Sequence, residues 1–302
     1  MRPLRKPALA AIAILLATQS AWADSSSMDP SSMSSENPFR FSISIAPAFG
    51  WPHFNKLNDA LSFTGNEYTN FSLQDAAANT SMKASGFKSI TMDYGGQIAV
   101  AHEFDEDMRA GLAFNTTVAY ASESLKYTML PSATYWTSTD FVVSQSITLP
   151  LFQVGIFLHR MFRFEEEPNL RLYMGGWGNY GTLVSATLKG KSYNSTYSPR
   201  TEQRYTATLV GNSWGAGAVG GVEYAVASIL TAFIESGWEY FIIDSVERSG
   251  TQTKVRIVNG TSSTLNTYTS NNPKWANGDG KPIPLDFGGV FIRFGIRLGL
   301  GL

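Results

Sequence analysis

The chain has 302 residues, a formal net charge of −1, no cysteine, 27 glycines and 13% aromatic residues. A near-neutral balance gives no electrostatic case for nucleic acid, and the lack of cysteine excludes the small disulfide-stapled scaffolds of exported proteins. A chain of this length can still bury a substantial core or close a sizeable barrel.

At the N-terminus, Arg2, Arg5 and Lys6 precede an apolar stretch from Ala8 to Ala17, and Ala21-Trp22-Ala23 follows. A basic start, a short apolar middle and a small-residue exit predict a secretory signal peptide over residues 1–23. The apolar part is shorter than the roughly 20 residues that a membrane-spanning helix needs. Residues 24–38 read as a Ser-rich tether.

From residue 39 onward the pattern changes to period two, the signature of strands with two unlike faces. Phe39, Phe41, Ile43, Ile45 and Phe49 oppose Arg40, Ser42 and Ser44. Next, Ile90, Met92, Tyr94, Ile98, Val100 and Phe104 oppose Asp93, Gln97 and Glu103. Residues 109–120 set Leu112, Phe114, Val118 and Tyr120 against Arg109, Asn115 and Thr117. The stretch 141–159 is the least regular, with Pro150 predicting a bend or bulge.

In the second half, Leu170, Leu172, Met174 and Tyr180 oppose Arg171, Tyr173, Trp177 and Asn179. Residues 214–224 place Trp214, Val222 and Tyr224 against glycines and Glu223. Residues 230–241 place Leu230, Ile234, Trp238 and Tyr240 against Glu235 and Glu239. The last stretch, 288–302, sets Val290, Ile292, Phe294, Ile296, Leu298, Leu300 and Leu302 against Arg293, Arg297 and glycines.

These eight stretches are joined alternately by short and long connections. The short ones are Asp105–Asp107, Glu165–Pro168 and Ala225–Ala227; the long ones are Trp51–Ser89, Ala121–Asp140, Thr187–Tyr205 and Asp244–Asp286. An even strand number with strictly alternating turn lengths predicts an all-β fold over residues 39–302, an eight-stranded antiparallel transmembrane β-barrel with long extracellular loops. The termini then lie on the periplasmic side. A soluble β-sandwich also alternates, but its turns come every 8–12 residues, and its inward faces do not carry charges such as these.

The mature chain from about Phe39 to Leu302 resembles the small eight-stranded outer-membrane barrels of the OmpA/OmpX-like class. The resemblance rests on this architecture, on the 215–240 hairpin "GAGAVGGVEYAVASILTAFIESGWEY" and on the alternating final strand. It implies an outer-membrane location. It also implies that the barrel-assembly machinery recognises the last strand, here through Phe294, Leu300 and Leu302.

The polar faces converge on one interior, supplying Arg40, Asp93, Glu103, Arg109, Arg171, Glu223, Glu235, Glu239, Arg293 and Arg297. An eight-stranded barrel is just wide enough for side chains to fill it, and buried charges there require partners. The pattern therefore predicts a salt-bridged plug in which Glu235 and Glu239 meet Arg293 and Arg297. Aromatics near strand ends, including Trp51, Phe104, Phe162, Phe164, Trp214, Trp238 and Tyr240, fit interfacial girdles.

Catalysis finds little support. The three histidines, His53, His102 and His159, have no Ser/Asp set at recognisable spacing. Asp279 lies in a Gly-rich turn that lacks the repeated carboxylates of a calcium loop. No cofactor or metal is expected, and the chain reads as a non-enzyme. The loop 188–205 carries Lys189, Lys191, Arg200 and Arg204 among tyrosines, and "TKVRIVNG" with "TLNTYTS" suggests a hairpin above the membrane. The expected function is an envelope scaffold displaying surface loops for integrity or adhesion. Its expected partners are outer-membrane lipid and lipopolysaccharide, the assembly machinery, and surface ligands. A narrow porin-like channel is the alternative, ahead of a lipid-modifying enzyme or a protease.

Overall fold

The structure, a computed structural model, describes residues 40–55, 57–58, 80–81, 90–105, 107–129, 139–194, 200–227, 229–258, 261–272 and 282–301. The signal peptide, the Ser-rich tether, Asp279 and Leu302 lie outside these residues. Fourteen strands run in chain order: β1 (Arg40–Pro52), β2 (Thr80–Ser81), β3 (Asp93–Asp105), β4 (Met108–Met129), β5 (Thr139–Arg163), β6 (Leu170–Leu183), β7 (Ala186–Asn194), β8 (Arg200–Val210), β9 (Asn212–Ala227), β10 (Leu230–Ile243), β11 (Glu247–Val258), β12 (Thr261–Asn272), β13 (Leu285–Asp286) and β14 (Gly289–Gly301).

Eight of these strands close on themselves in the order β1-β3-β4-β5-β6-β9-β10-β14. Every neighbouring pair is antiparallel, and β14 returns to β1 with Arg40 opposite Gly301 and Ile45 opposite Ile296. Closure pairs every strand edge, the condition for a strand structure to stand in hydrocarbon. The eight alternating stretches of the sequence are these eight strands, except that Ile90, expected on the outer apolar face, precedes β3 and is buried in the core at the barrel mouth.

Their large apolar residues point outward. Phe41, Ile43, Ile45, Ile98, Leu112, Phe114, Ile156, Leu172, Met174, Ile234, Phe294, Ile296 and Leu298 are all exposed. Toward the end remote from the termini, Trp51, Tyr94, Tyr120, Tyr180, Trp214 and Trp238 stand exposed on six different strands. Phe104, Phe162, Phe164 and Tyr224 mark the other end. Trp214 and Tyr224 are ten steps apart on β9. At about 3.4 Å per residue and a tilt near 40°, they bracket a band roughly 26 Å tall, matching the apolar belt of membrane barrels. The fold is an eight-stranded antiparallel transmembrane β-barrel.

Strands β4 and β5 do not stop at the aromatic row. They stay paired as far as Met129 opposite Thr139. On its other side β5 pairs with β6 from Leu151 to Arg163, then with β7 from Phe141 to Thr148. Pro150 sits at this hand-over. Its carbonyl accepts the Val184 N–H at 2.9 Å, so its nitrogen, which cannot donate, faces the gap between the two partners. The β4–β5 register passes Pro150 unshifted opposite Val118, so the expected bulge is not there. Ser185 takes up a left-handed backbone (φ 56) as the chain turns from β6 into β7.

Strands β7, β8, β11 and β12 then add edge by edge, extending an upright sheet from β5. The stretches 121–140, 187–205 and 244–286, read from sequence as loops, are thus largely strand where described. Their alternation is carried by Ser, Thr and small residues, not by large apolar side chains, so it reads as wet loop. The hairpin expected from "TKVRIVNG" and "TLNTYTS" is β11–β12.

Where the sheet meets the barrel mouth, an apolar core collects Phe54, Leu57, Ile147, Leu149, Leu151, Leu188, Leu209, Phe241, Ile243, Leu285 and Phe287. The segment after β1 folds inward to join it. The Asn58 side chain fixes that segment by accepting the Ile90 N–H at 2.9 Å and donating to the Ile90 carbonyl at 3.2 Å. Phe287 donates its N–H to the Phe241 carbonyl at 2.9 Å and meets the Phe54 ring edge-on at 4.9 Å. At the margin of this core, burial pushes the Tyr205 phenol up, against the opposing pull of Arg248.

Candidate functional site: the barrel interior

The interior is organised in tiers between the termini end and the mouth. In the lowest, Glu223 of β9 is the hub. Arg109 of β4 grips it with a two-pronged contact, Nη1 to Oε2 and Nη2 to Oε1, both at 2.9 Å. Arg109 also donates through Nε to Glu103 Oε1 at 3.1 Å. Arg297 of β14 donates to Glu223 Oε2, and Arg171 stands 3.7 Å from both Glu103 and Glu223. Strands β4 and β9 are three places apart around the wall, so the Arg109–Glu223 contact crosses the lumen. Arg109 is 1% exposed and Glu223 2%, and charges buried so deeply persist only with partners of this geometry.

One tier higher, Glu235 is held through both oxygens, by Arg293 Nη1 at 2.8 Å and by the Tyr173 hydroxyl at 2.7 Å. The Arg293 guanidinium lies over the Phe291 ring at 4.1 Å and the Trp177 ring at 5.3 Å. His159 stacks on Tyr173 at 5.0 Å. Two glycines of β9 make this filling possible: a Cβ on Gly221 would strike the Tyr173 ring, and one on Gly217 the Trp177 ring. The third tier is less cationic. Glu239 accepts from Gln153 at 2.8 Å and from Asn179 at 2.6 Å, while Asp93 is buried against β1, where the bare backbone of Gly50 leaves room for its carboxylate. Above it Phe241 reaches over Gly181 and Gln153, and the apolar core begins.

The expected pairings are partly rearranged. Glu235 does meet Arg293, its direct register partner. Arg297 lies opposite Thr231, four residues lower, and takes Glu223 from the next strand instead of Glu235 or Glu239. Glu239 lies opposite Gly289, above Arg293, and finds amides in place of a guanidinium. Arg40 is placed opposite Glu103 and Gly301 at the foot of β1, and its side chain lies outside the described part. Phe294 and Leu300 are exposed on the outer face of β14.

The irregular alternation around Pro150 gives β5 no clear inward face in the sequence, which leaves Gln153 unmarked and His159 without an assigned place. Reading through Pro150 would have found them: Leu149, Leu151, Gln153, His159 and Met161 share one parity and are all buried. His102 packs on Phe41 at 4.8 Å, and the His53 ring nitrogen Nδ1 lies 3.0 Å from the Gly288 carbonyl. Among the described residues, no group of three His, Asp or Glu side chains converges as a metal site would.

No protein-family model matches the sequence, and no curated protein matches it. Among solved structures, Neisserial surface protein A is similar over 86% of this chain and 96% of its own, at 12% identity and a TM-score of 0.32. The outer membrane protein OprG from Pseudomonas aeruginosa covers 88% of this chain and 97% of its own, at 9% identity and a TM-score of 0.39. The outer membrane protease OmpT from Escherichia coli covers 88% and 98%, at 9% identity and a TM-score of 0.33. At these scores the fold assignment rests on the barrel geometry itself.

Proposed function

We propose that the chain is an exported outer-membrane barrel with a closed interior. It acts as a non-catalytic anchor that holds an upright β-sheet at the cell surface for envelope integrity and surface contact, including adhesion. The observation that carries this reading is the double obstruction of the lumen. A charge network spans it from wall to wall, and an apolar core lies over its mouth. An ion entering from either end would have to break buried Arg–Glu contacts and cross the apolar core, each step costly in low dielectric. In this reading the signal peptide directs export and the termini are periplasmic. The aromatic rows meet lipid and lipopolysaccharide headgroups, the assembly machinery engages the outer face of β14, and the sheet meets surface ligands.

Single-channel recording of the refolded protein in a planar bilayer, beside a Glu235→Ala/Glu239→Ala variant, tests the closed interior. The wild type is expected to be silent. A steady, reproducible wild-type conductance would overturn the reading and make narrow-channel transport the function instead.

A further inference from the structure

Among the described residues the upright sheet has two margins, and they are unlike. On one side, β2 caps the tip of β4 opposite Thr128 and Met129. A covering segment is a usual means by which an edge is kept from pairing. On the other side, β12 is the last strand of the sheet and, among the described residues, pairs only with β11. Its twelve residues, TSSTLNTYTSNN, include no charge, no proline and no glycine. Thr261 to Thr269 are exposed at every position, on both faces. A register shift opposite Lys254/Val255 isolates Leu265, which leaves Asn266–Asn272 as a regular seven-residue stretch. In an antiparallel ladder alternate residues turn their N–H and C=O away from the partner, so this stretch turns outward a row of donors and acceptors that no other described strand takes up.

We propose that the β12 edge pairs antiparallel with β12 of a second copy held in a facing membrane, so that the protein is a homotypic adhesin. This deepens the surface-contact reading and rests on it. The choice of a second copy follows from composition. An uncharged strand has no electrostatic preference for a charged partner, and it faces no like-charge penalty against itself.

The choice of a facing membrane follows from symmetry. The barrel fixes each copy upright, and β12 continues a sheet that rises from the barrel wall. Two copies in one membrane are related by an axis along the membrane normal. That axis leaves upright strands parallel, and at a tilt of about 40° it crosses them at about 80°, where no ladder forms. The axis that makes two edges antiparallel and continuous runs along the sheet normal, which lies in the membrane plane. Rotation about it also inverts the copy, placing it in an opposed bilayer.

The test uses full-length refolded protein in two populations of lipid vesicles carrying different dyes, read by turbidity and by co-clustering of the dyes. Wild-type vesicles are expected to cluster. Thr267 and Thr269 are exposed and lie opposite Thr253 and Thr251 on β11, so the variants Thr267→Lys/Thr269→Lys and Thr267→Glu/Thr269→Glu place like charges across the two-fold pairing. Each variant alone is expected to fall to the protein-free baseline. Mixing Lys-variant with Glu-variant vesicles is expected to restore clustering, which also shows that both variants are folded. Dispersed wild-type vesicles, undiminished clustering by the Lys variant, or no restoration in the mixture would overturn the proposal. Since the closed interior is judged by conductance, a silent barrel whose vesicles never cluster would remove the adhesin and leave the anchor standing.

Discussion

Replacing Glu223 removes the counter-charge shared by three arginines. Among the described side chains, the lowest tier holds Arg109, Arg171 and Arg297 against Glu103 and Glu223. The tier therefore moves from a surplus of one positive charge to a surplus of two. Arg109 keeps Glu103 through Nε, whereas Arg297 loses the carboxylate it donates to. Breaking a buried pair by removing one member costs about 3–5 kcal/mol, so Glu223→Ala should destabilise by about that much. Glu223→Gln retains an acceptor oxygen and the shape, and should cost about 1.5–3 kcal/mol, the worth of hydrogen bonds to a charged group. Removing the stranded charge as well, in Glu223→Ala/Arg297→Met, should recover part of the loss, because an uncompensated buried guanidinium is the main penalty. Equilibrium guanidinium unfolding in lipid vesicles, followed by tryptophan fluorescence, measures all three. A loss below about 1 kcal/mol for Glu223→Ala would mean that water screens these charges, and the charge network would not close the lumen.

The mouth and the middle tier yield further expectations. Phe241 is fully buried where the apolar core meets the lumen, so Phe241→Ala should cost about 3–5 kcal/mol. It should also speed hydrogen exchange at the Phe287 amide that bonds its carbonyl; unchanged exchange would show that the core does not hinge on this ring. Gly221→Val forces a side chain into the Tyr173 ring and should cost about 1–3 kcal/mol. Combining it with Tyr173→Leu should give less than the sum of the two single losses, and strict additivity by guanidinium midpoint would count against the overlap.

The barrel was legible because lipid enforces a simple code. A strand with hydrocarbon on one side and a packed lumen on the other must alternate strictly, as Met92 to Phe104 and Val290 to Leu300 do. The extension obeys no such rule. Its outer face is wet, and the inner face of β7 and β8 fills the core with Ala186, Leu188, Tyr205, Ala207 and Leu209, so its apolar signal is brief and its threonines look like loop. Within the lumen, which residues are charged could be read directly, but which pairs form could not. Pairing depends on register and on contacts across the cavity. Arg297 shows this, finding Glu223 on a strand that is not its hydrogen-bonded neighbour.

The hand-over at Pro150 has a mechanical consequence. Because β5 belongs to the barrel wall below that residue and to the upright sheet above it, the path from β12 to the membrane is one unbroken lattice of main-chain hydrogen bonds through β11, β8, β7 and β5. No flexible linker interrupts it. A pull along the strand axis at the outermost edge is borne as shear by whole rows of bonds together. A pull across the sheet opens them one at a time. The molecule is thus stiff and strong in the direction that separates two surfaces and yields most readily to peeling from the side.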